Sequence, residues 1–131
     1  MKIGVDLDGT LTNFKSYKGR VNLPWWTGIW LFLLKPNKKM VEILKKWEGQ
    51  GHEIIIISGR PQRLEDSTKR WLKKYQIPFK RVILVELGDG IEKRKLRVIR
   101  QLGIEMFVDD DLWTVKFLVQ NGIKAKIGAS L

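Results

Sequence analysis

Hydrophobic residues occur along this chain in two alternating patterns, one typical of strands and the other of helices. Short apolar runs, rich in β-branched residues, predict buried strands. These runs cover residues 2–5, 54–57, 81–86 and 106–108, and a shorter alternating run covers 123–127. Apolar residues at helical spacing predict amphipathic helices between the runs. The helical segments cover residues 37–48, 62–75, 92–102 and 112–119.

The strand and helix patterns also predict where elements are buried and how they begin. Four consecutive isoleucines at residues 54–57 are typical of a parallel strand that is buried on both faces. Asn37 and Asp111 precede helical segments and are suited to cap them. The final run, residues 123–127, is expected at an edge of the sheet. Strands that alternate with helices in this way are typical of an α/β domain.

Residues 13–36 interrupt the regular pattern and are predicted to form a short flap or minimal cap. Trp25, Trp26 and Trp30 fall within it, while Pro24 and Gly28 argue against one long helix. These aromatic residues either pack onto the core or serve a surface role. The surface roles left open are a platform for a base or sugar, a patch for oligomerisation, and an interfacial membrane contact.

Composition narrows the class of protein. A chain of 131 residues with 44% hydrophobic residues is long enough for one domain with a core. The absence of cysteine excludes disulfides and thiolate metal sites and fits a reducing compartment, so we expect a cytoplasmic protein. No signal peptide is apparent, and the longest uncharged run, residues 21–34, falls short of the roughly 20 residues of a membrane-spanning helix.

Charge adds an expectation about ligands. The formal net charge is +11, and basic residues concentrate between Arg60 and Arg100. A positive field of this kind would steer anionic substrates toward a site, although solvated helix faces explain it equally well.

The first strand is followed directly by two carboxylates. Asp6 and Asp8 stand one residue apart, and Gly9 then allows a turn with positive φ. Ligands of an open α/β sheet lie beyond the carboxyl ends of the strands, where these acids are expected. Neighbouring carboxylates repel unless a cation or proton intervenes, and such oxygen ligands suit Mg²⁺ beside a phosphate. An ordinary acidic turn after a strand is the alternative that this motif leaves open.

The second strand end also carries groups suited to phosphate. Ser58 and Gly59 follow the isoleucine run, and a hydroxyl with free backbone N–H groups at that edge can hold a phosphate oxygen. Arg60 comes next and is expected either to contact the substrate or to pair with a surface acid. The run at residues 106–108 ends in three consecutive aspartates, which repeats the arrangement of the first strand.

These motifs resemble those of the haloacid dehalogenase-like superfamily, in which most members are Mg²⁺-dependent phosphatases. The first motif is matched by Asp6-Leu7-Asp8-Gly9-Thr10, in which Thr10 is a further candidate site residue. The second motif is matched by the strand ending at Ser58, and the fourth by the strand ending at Asp109. The motifs occur in family order over nearly the whole chain. The resemblance therefore implies a single Rossmann-like domain, a three-layer α/β/α sandwich with a mostly parallel central sheet.

The resemblance also implies catalytic roles. Asp6 would attack phosphorus and form an aspartyl-phosphate, and Asp8 would protonate the leaving oxygen and then take a proton from water. Ser58, with Gly59 beside it, would hold the transferring oxygens. The third motif of the family is a lysine with the same task.

The remaining roles that the resemblance implies are the motif lysine and the Mg²⁺ ligands. Lys95 is favoured as the motif lysine because it opens a helix just before the fourth motif, and Lys93 is its rival. Mg²⁺ would be held by Asp6, by Asp109 and by the backbone carbonyl of Asp8. Asp110 is a further candidate ligand, either direct or through water.

The implied substrate is a phosphate monoester, with a nucleotide or a polynucleotide end as the favoured class. A short flap leaves the site open, and the positions Ser58-Gly59-Arg60, Thr68 and Trp71-Leu72 look loosely like polynucleotide kinase-phosphatase phosphatase domains and small nucleotidases. The competing hypothesis is a catalytically weak binding module. It would use its basic face for nucleic acid, or its tryptophan-rich flap for a protein, a membrane or a second copy.

Overall fold

A computed structural model of the chain describes residues 1–12 and 32–131. Within these residues five strands form one fully parallel sheet in the order β3-β2-β1-β4-β5. The strands are β1 Lys2–Val5, β2 Glu53–Ser58, β3 Arg81–Leu84, β4 Met106–Asp109 and β5 Ala125–Ile127. The helices are α1 Lys38–Gly49, α2 Glu65–Lys74, α3 Ile91–Leu102 and α4 Leu112–Gln120, with 3₁₀ turns at Gln62–Leu64 and Gly128–Ser130.

The side chains of β2 alternate between two hydrophobic clusters, which confirms the predicted three-layer sandwich. Ile54 and Ile56 pack in the cluster that contains residues of α1 and α2. Ile55 and Ile57 pack in the cluster that contains residues of α3 and α4. A strand covered on both faces has no solvent side, which is why its sequence is apolar throughout.

The register of the sheet aligns the ends of its central strands. Val5 of β1 pairs with Ile56 of β2 and with Val108 of β4. The backbone N–H of Asp6 donates to the carbonyl of Val108 at 2.9 Å, which continues this pairing by one residue. The residues that follow β1, β2 and β4 therefore meet at one edge, here called the carboxyl edge. The opposite edge, where the strands begin and the helices end, is the amino edge.

Helix starts agree with the predicted caps. The Asn37 side chain accepts from the N–H of Met40 at the start of α1, and the Asp111 side chain accepts from the N–H of Trp113 at the start of α4. Each cap satisfies a backbone donor that has no partner within its helix.

Two local expectations were wrong. Residues 62–64 form a 3₁₀ turn, which is frequent at the start of a helix, and α2 begins only at Glu65. The strand predicted over residues 81–86 ends at Leu84, since Glu86 adopts a positive φ of 65° that breaks the extended backbone. Two of the apolar residues in the predicted helix over residues 112–119, Leu112 and Val119, are 54% and 53% exposed and so do not belong to its buried face. This nine-residue helix contributes only Thr114, Val115 and Leu118 to the interior.

The predicted flap lies mostly outside the described residues, and its assignment stays a prediction. Trp25, Trp26 and Trp30 all fall within residues 13–31. The described end of this segment is anchored to the domain. Thr12 forms an antiparallel bridge with Pro36, and the carbonyl of Leu34 accepts a hydrogen bond from the Trp71 ring nitrogen at 2.8 Å.

Candidate active site

Four sequence-distant side chains meet at the carboxyl edge. Asp6 follows β1, Ser58 ends β2 and Asp109 ends β4, so adjacent strands of the sheet deliver all three. Lys95 reaches the same place from the second turn of α3. Each of these polar residues is buried, which is unusual for ionisable groups without partners.

The ammonium of Lys95 links two of the carboxylates. Its Nζ donates to Oδ1 of Asp6 at 3.1 Å and to Oδ2 of Asp109 at 2.8 Å. Lys95 is only 4% exposed. Burial alone would lower the pKa of Lys95, but the charges of Asp6 and Asp109 overcome it and raise this pKa above its usual value. The lysine is therefore held charged between the two acids.

The site holds more negative charge than its buried lysine can balance. Burial, followed by repulsion from Asp109 and Asp8, raises the pKa of Asp6 to about 8, against the opposing effect of Lys95. A carboxyl with this pKa keeps its proton near neutral pH unless another cation arrives. The arrangement therefore favours the binding of a cation beside Asp6.

The raised pKa of Asp6 makes the stability of the metal-free protein depend on pH. A carboxyl with a pKa of about 8 when folded, against 3.8 in the unfolded chain, binds more protons in the folded state throughout that interval. The stabilising effect of the proton on Asp6 is complete below pH 3.8. It is lost as the pH rises through the folded-state pKa of about 8. We expect thermal melts in EDTA to show a Tm that falls between about pH 5 and pH 8, and Asp6→Asn to flatten this fall. An identical pH profile for both proteins would contradict this assignment.

Asp8 is fixed by a bidentate pair with Arg60. The Arg60 Nε and one terminal nitrogen donate to the two carboxylate oxygens of Asp8, both at 2.8 Å. The other terminal nitrogen of Arg60 donates to Oγ1 of Thr68 at 3.0 Å, and the Thr12 hydroxyl donates to Asp8 at 3.3 Å. Arg60 is 3% exposed, so its guanidinium is directed at Asp8 rather than at solvent. Such two-pronged contacts fix the plane of a carboxylate as well as its position.

The turn after β2 brings Ser58 and Gly59 to the same edge. The Oγ of Ser58 accepts from the N–H of Arg60 at 3.2 Å, which leaves the hydroxyl proton free to donate to another group. A Cβ on Gly59 would lie 2.6 Å from the Ile91 side chain and 2.8 Å from the Leu87 side chain, so a larger residue here would have to displace their terminal methyl groups.

Thr10 and Asp110 connect the first loop of the site to the last. The N–H of Asp110 donates to Oγ1 of Thr10 at 3.2 Å. The carboxylate of Asp110 accepts from the N–H of Ala129 at 2.9 Å. A Cβ on Gly128 would lie 2.9 Å from this carboxylate, so the absence of a side chain there makes room for Asp110. In this arrangement Asp110 holds the turn after β5. Its predicted role as a metal ligand stays a prediction.

The remaining predicted cation lies apart from the buried cluster. Lys93 is exposed on α3, whereas Lys95 is buried within hydrogen-bond distance of Asp6. The basic stretch between Arg60 and Arg100 does not form one field around the site. Arg60 and Lys95 are paired with buried acids, and the Arg94 guanidinium donates to the carbonyls of Val85, Glu86 and Asp89.

The oxygen atoms at this edge fit a small divalent cation only if the backbone takes part. Within the described ranges 1–12 and 32–131, no three acidic or histidine side chains come close enough to hold a metal ion by themselves. Asp6 and Asp109 lie around one Lys95 ammonium, and Asp8 turns its carboxylate to Arg60. Mg²⁺ accepts a set of one or two carboxylates completed by a carbonyl, water and phosphate. The donor set is therefore suited to Mg²⁺.

Sequence reasoning assigned no contact within the site to Thr12 or Thr68, although Thr68 was among the positions that carried the resemblance. Thr12 and Thr68 contact the Asp8–Arg60 pair from two directions, and both are buried. The one available signal for Thr68 was its place on the apolar face of α2, where a hydroxyl needs a partner.

Comparison with known proteins gives a consistent set of similarities. The family model described as the LNS2 domain of PITM 1-3 matches residues 3–109. A protein provisionally named a nucleotidase, from Halalkalibacterium halodurans, is 36% identical over 69 residues. That match covers 53% of this chain but only 32% of the relative, so the chain spans about a third of its length.

Two solved structures share the fold over nearly the whole chain. One belongs to the Pnkp1/Rnl/Hen1 RNA repair complex, with a TM-score of 0.76 and 21% identity over 96% of this chain and 42% of that one. The other is D,D-heptose 1.7-bisphosphate phosphatase from B. bronchiseptica, complexed with magnesium and phosphate. Its TM-score is 0.66, with 11% identity over 99% of this chain and 84% of that one. Among the described residues, no helix has the length and apolar character needed to cross a membrane.

Proposed function

This chain belongs to the family of the LNS2 domain of PITM 1-3, a haloacid dehalogenase-like domain, and from that premise we propose that it is a Mg²⁺-dependent phosphatase acting on phosphate monoesters. The observation that carries the proposal is the buried cluster of Asp6, Lys95 and Asp109 at the carboxyl edge, with the Asp8–Arg60 pair beside it. Asp6 and Asp8 follow β1, Asp109 ends β4 and Lys95 reaches them from α3, which supports assigning a nucleophile, a proton-transfer group and a cation to this cluster.

Asp6 and Asp8 divide the chemistry between them. An oxygen of Asp6 attacks phosphorus and the bond from phosphorus to the leaving oxygen breaks. Asp8 gives that oxygen a proton, which it must first take up by releasing one carboxylate oxygen from Arg60. Water then attacks the phosphorus of the aspartyl-phosphate, Asp8 takes the proton from the water, and Asp6 leaves as a carboxylate. Two steps with a covalent intermediate replace one difficult displacement.

The surrounding groups stabilise the charge of the transferring phosphoryl group. The Ser58 hydroxyl, the backbone at Gly59 and the Lys95 ammonium supply donors at the edge where its oxygens would lie. Mg²⁺, held by Asp6, Asp109 and the backbone carbonyl of Asp8, would supply electrostatic screening between the phosphate and the attacking carboxylate.

The favoured substrate is a nucleotide or a polynucleotide end. The Halalkalibacterium halodurans relative carries a nucleotidase name, which supports this class of substrate. The two solved structures share the fold and do not discriminate between nucleotides and sugar phosphates. A chain without cysteine also fits our expectation of a cytoplasmic enzyme.

Hydrolysis of p-nitrophenyl phosphate by the full chain tests the phosphatase activity. We expect turnover with Mg²⁺, none in excess EDTA, and recovery when Mg²⁺ is restored. Nucleotides, 3′-phosphorylated oligonucleotides, sugar phosphates and phosphopeptides then rank the substrate classes by kcat/KM. A folded protein with no turnover on any of them would contradict the proposal and favour a binding module.

Arg60 is expected to act as a positioning residue for Asp8. Arg60→Lys keeps the charge but loses the two-pronged contact, so we expect kcat to fall by about 10²-fold with little change in KM. The loss should be larger for an alkyl phosphate, whose leaving oxygen needs a proton, than for p-nitrophenyl phosphate. Arg70→Lys, on the exposed face of α2, is the matched control. An equal loss on both substrates would show that Arg60 does not act through proton donation by Asp8.

A further inference from the structure

One group of the exposed basic residues that the structure describes lies at the amino edge, opposite the candidate active site, while others, such as Lys38, Lys39 and Arg70, lie elsewhere. In a parallel sheet each connecting helix ends where the next strand begins, so helix ends and strand starts share this edge. The exposed basic residues located there are Lys2, Lys46, Lys73, Lys74, Lys80, Arg81, Arg100 and Lys124. Among the described residues, the acids at the same edge are Glu48, Glu53 and Glu105. The amino edge therefore has a clear positive excess.

The carboxyl edge has the opposite balance. Its acids among the described residues are Asp6, Asp8, Glu65, Asp66, Glu86, Asp89, Glu92, Asp109, Asp110 and Asp111. These outnumber the basic residues described at the same edge, and Arg60 and Lys95 are already paired with three of them. Strands of four to six residues separate the two edges by roughly 15 Å, which exceeds the Debye length at physiological salt. The amino edge is therefore a separate surface rather than an extension of the active site.

The densest part of this surface is the connection from the end of α2 to the start of β3, residues 73–81, here called the 73–81 surface. It reads Lys-Lys-Tyr-Gln-Ile-Pro-Phe-Lys-Arg, so two basic residues and an aromatic one stand at each end. Lys73, Lys74 and Arg81 form no ion pair with any described residue. Lys80 is the exception, because its ammonium contacts Glu53 at 2.9 Å. Lys73 and Arg81 thus carry positive charge without a described carboxylate partner, while the Lys74 ammonium lies over the Phe32 and Tyr75 rings.

The aromatic residues of the 73–81 surface are fixed in place and partly accessible. The Tyr75 ring packs 5.2 Å from the Trp71 ring at an angle of 58°, and Lys74 lies 5.3 Å above the Tyr75 ring. Phe79 packs against the same core cluster, and both aromatic residues are half-buried. Cations that alternate with supported aromatic rings suit single-stranded nucleic acid, whose phosphates and unstacked bases engage the two kinds of group.

A membrane is the less suitable partner for this surface. Binding to a bilayer usually adds exposed large apolar side chains to the basic ones. Among the described residues, the exposed large apolar side chains are Met1, Leu33, Leu112, Trp113 and Val119, and none of them belongs to residues 73–81.

We propose that the 73–81 surface binds single-stranded nucleic acid, with Lys73, Lys74 and Arg81 contacting phosphates and Phe79 stacking against a base. The two edges of the sheet then have separate functions. A nucleic-acid strand bound at the amino edge need not enter the active site. This binding does not depend on the proposed phosphatase activity, because no residue of the 73–81 surface belongs to the catalytic cluster.

Fluorescence anisotropy with a labelled single-stranded 20-mer tests the proposal across a range of NaCl concentrations. The full chain is compared with the triple variant Lys73→Gln, Lys74→Gln, Arg81→Gln. The matched control is Lys35→Gln, Lys38→Gln, Lys39→Gln, which removes the same charge from exposed residues outside the amino edge. Thermal melts establish that each variant is folded, and EDTA is present so that no hydrolysis of the ligand intervenes.

We expect the amino-edge variant to bind at least about tenfold more weakly than the control variant, and its plot of log Kd against log salt to be shallower by about two. Phe79→Leu should weaken single-stranded binding by about tenfold and duplex binding far less. Equal losses in the two triple variants would overturn the proposal in favour of a general charge effect. Binding to phosphatidylserine vesicles that depends on the same residues, without binding to the 20-mer, would overturn it in favour of a membrane.

Discussion

Replacing Asp6 by Asn is expected to lower kcat on p-nitrophenyl phosphate by at least about 10³-fold, because the variant lacks the nucleophile of the proposed covalent step. Folding should survive the change. Asp6 lies beside Asp109 and Asp8, and their repulsion contributes to its pKa of about 8. Removing one of three clustered carboxylates relieves this repulsion while Lys95 keeps its contact with Asp109.

Asp66→Asn is a suitable control for the Asp6 variant, since Asp66 is an exposed carboxylate in the first turn of α2. Initial rates and thermal melts should be measured on both proteins in the same buffer with Mg²⁺. An Asp6→Asn variant that keeps a tenth or more of the wild-type kcat would show that Asp6 is not the nucleophile.

Replacing Lys95 by Met is expected to affect both activity and stability. The variant leaves Asp6 and Asp109 buried without their shared ammonium, and breaking such a buried pair typically costs about 3–5 kcal/mol of unfolding free energy. Loss of a donor to the transferring phosphoryl group should lower kcat by about 10²–10³-fold. Methionine fills a similar volume, so most of the effect reports on the charge.

Denaturant unfolding and steady-state kinetics measure the two effects of Lys95→Met. Mg²⁺ should recover part of the lost stability, because a cation bound to the folded state stabilises it. Lys93→Met compares the two rival lysines directly, and the larger loss of kcat is expected for Lys95. A greater loss for the Lys93 variant would reverse that assignment.

The sequence was sufficient to predict the sheet and the acids at its edge, because both depend on local patterns. The isoleucine run of β2 can only be buried on two faces, and Asp6 follows directly on the apolar residues of β1. In a parallel sheet the end of each strand lies at the same edge, so the chain order of the motifs already places Asp6, Ser58 and Asp109 together.

The contacts of long side chains were not predictable in the same way. Arg60 and Asp8 lie 52 residues apart, and an arginine near a site pairs equally well with a substrate phosphate, a surface acid or a buried one. Only the fold shows that the guanidinium is enclosed between Asp8 and Thr68.

The distribution of charge likewise depended on topology. The basic stretch between Arg60 and Arg100 crosses the molecule three times, along α2, β3 and α3. Its members Arg60 and Lys95 lie at the carboxyl edge, whereas Lys73, Lys74 and Arg81 lie at the amino edge. Counting charges along the chain suggested one positive region beside the site. In the structure the basic residues of this stretch lie on two separate surfaces.

Trapping the covalent intermediate tests the central claim most directly. The full chain should be mixed with excess p-nitrophenyl phosphate and Mg²⁺, quenched with borohydride, digested, and analysed by mass spectrometry. Borohydride reduces an aspartyl-phosphate to homoserine, so we predict homoserine at position 6, dependent on both substrate and Mg²⁺. Multiple turnovers that leave Asp6 unmodified, or homoserine at another aspartate, would contradict the account.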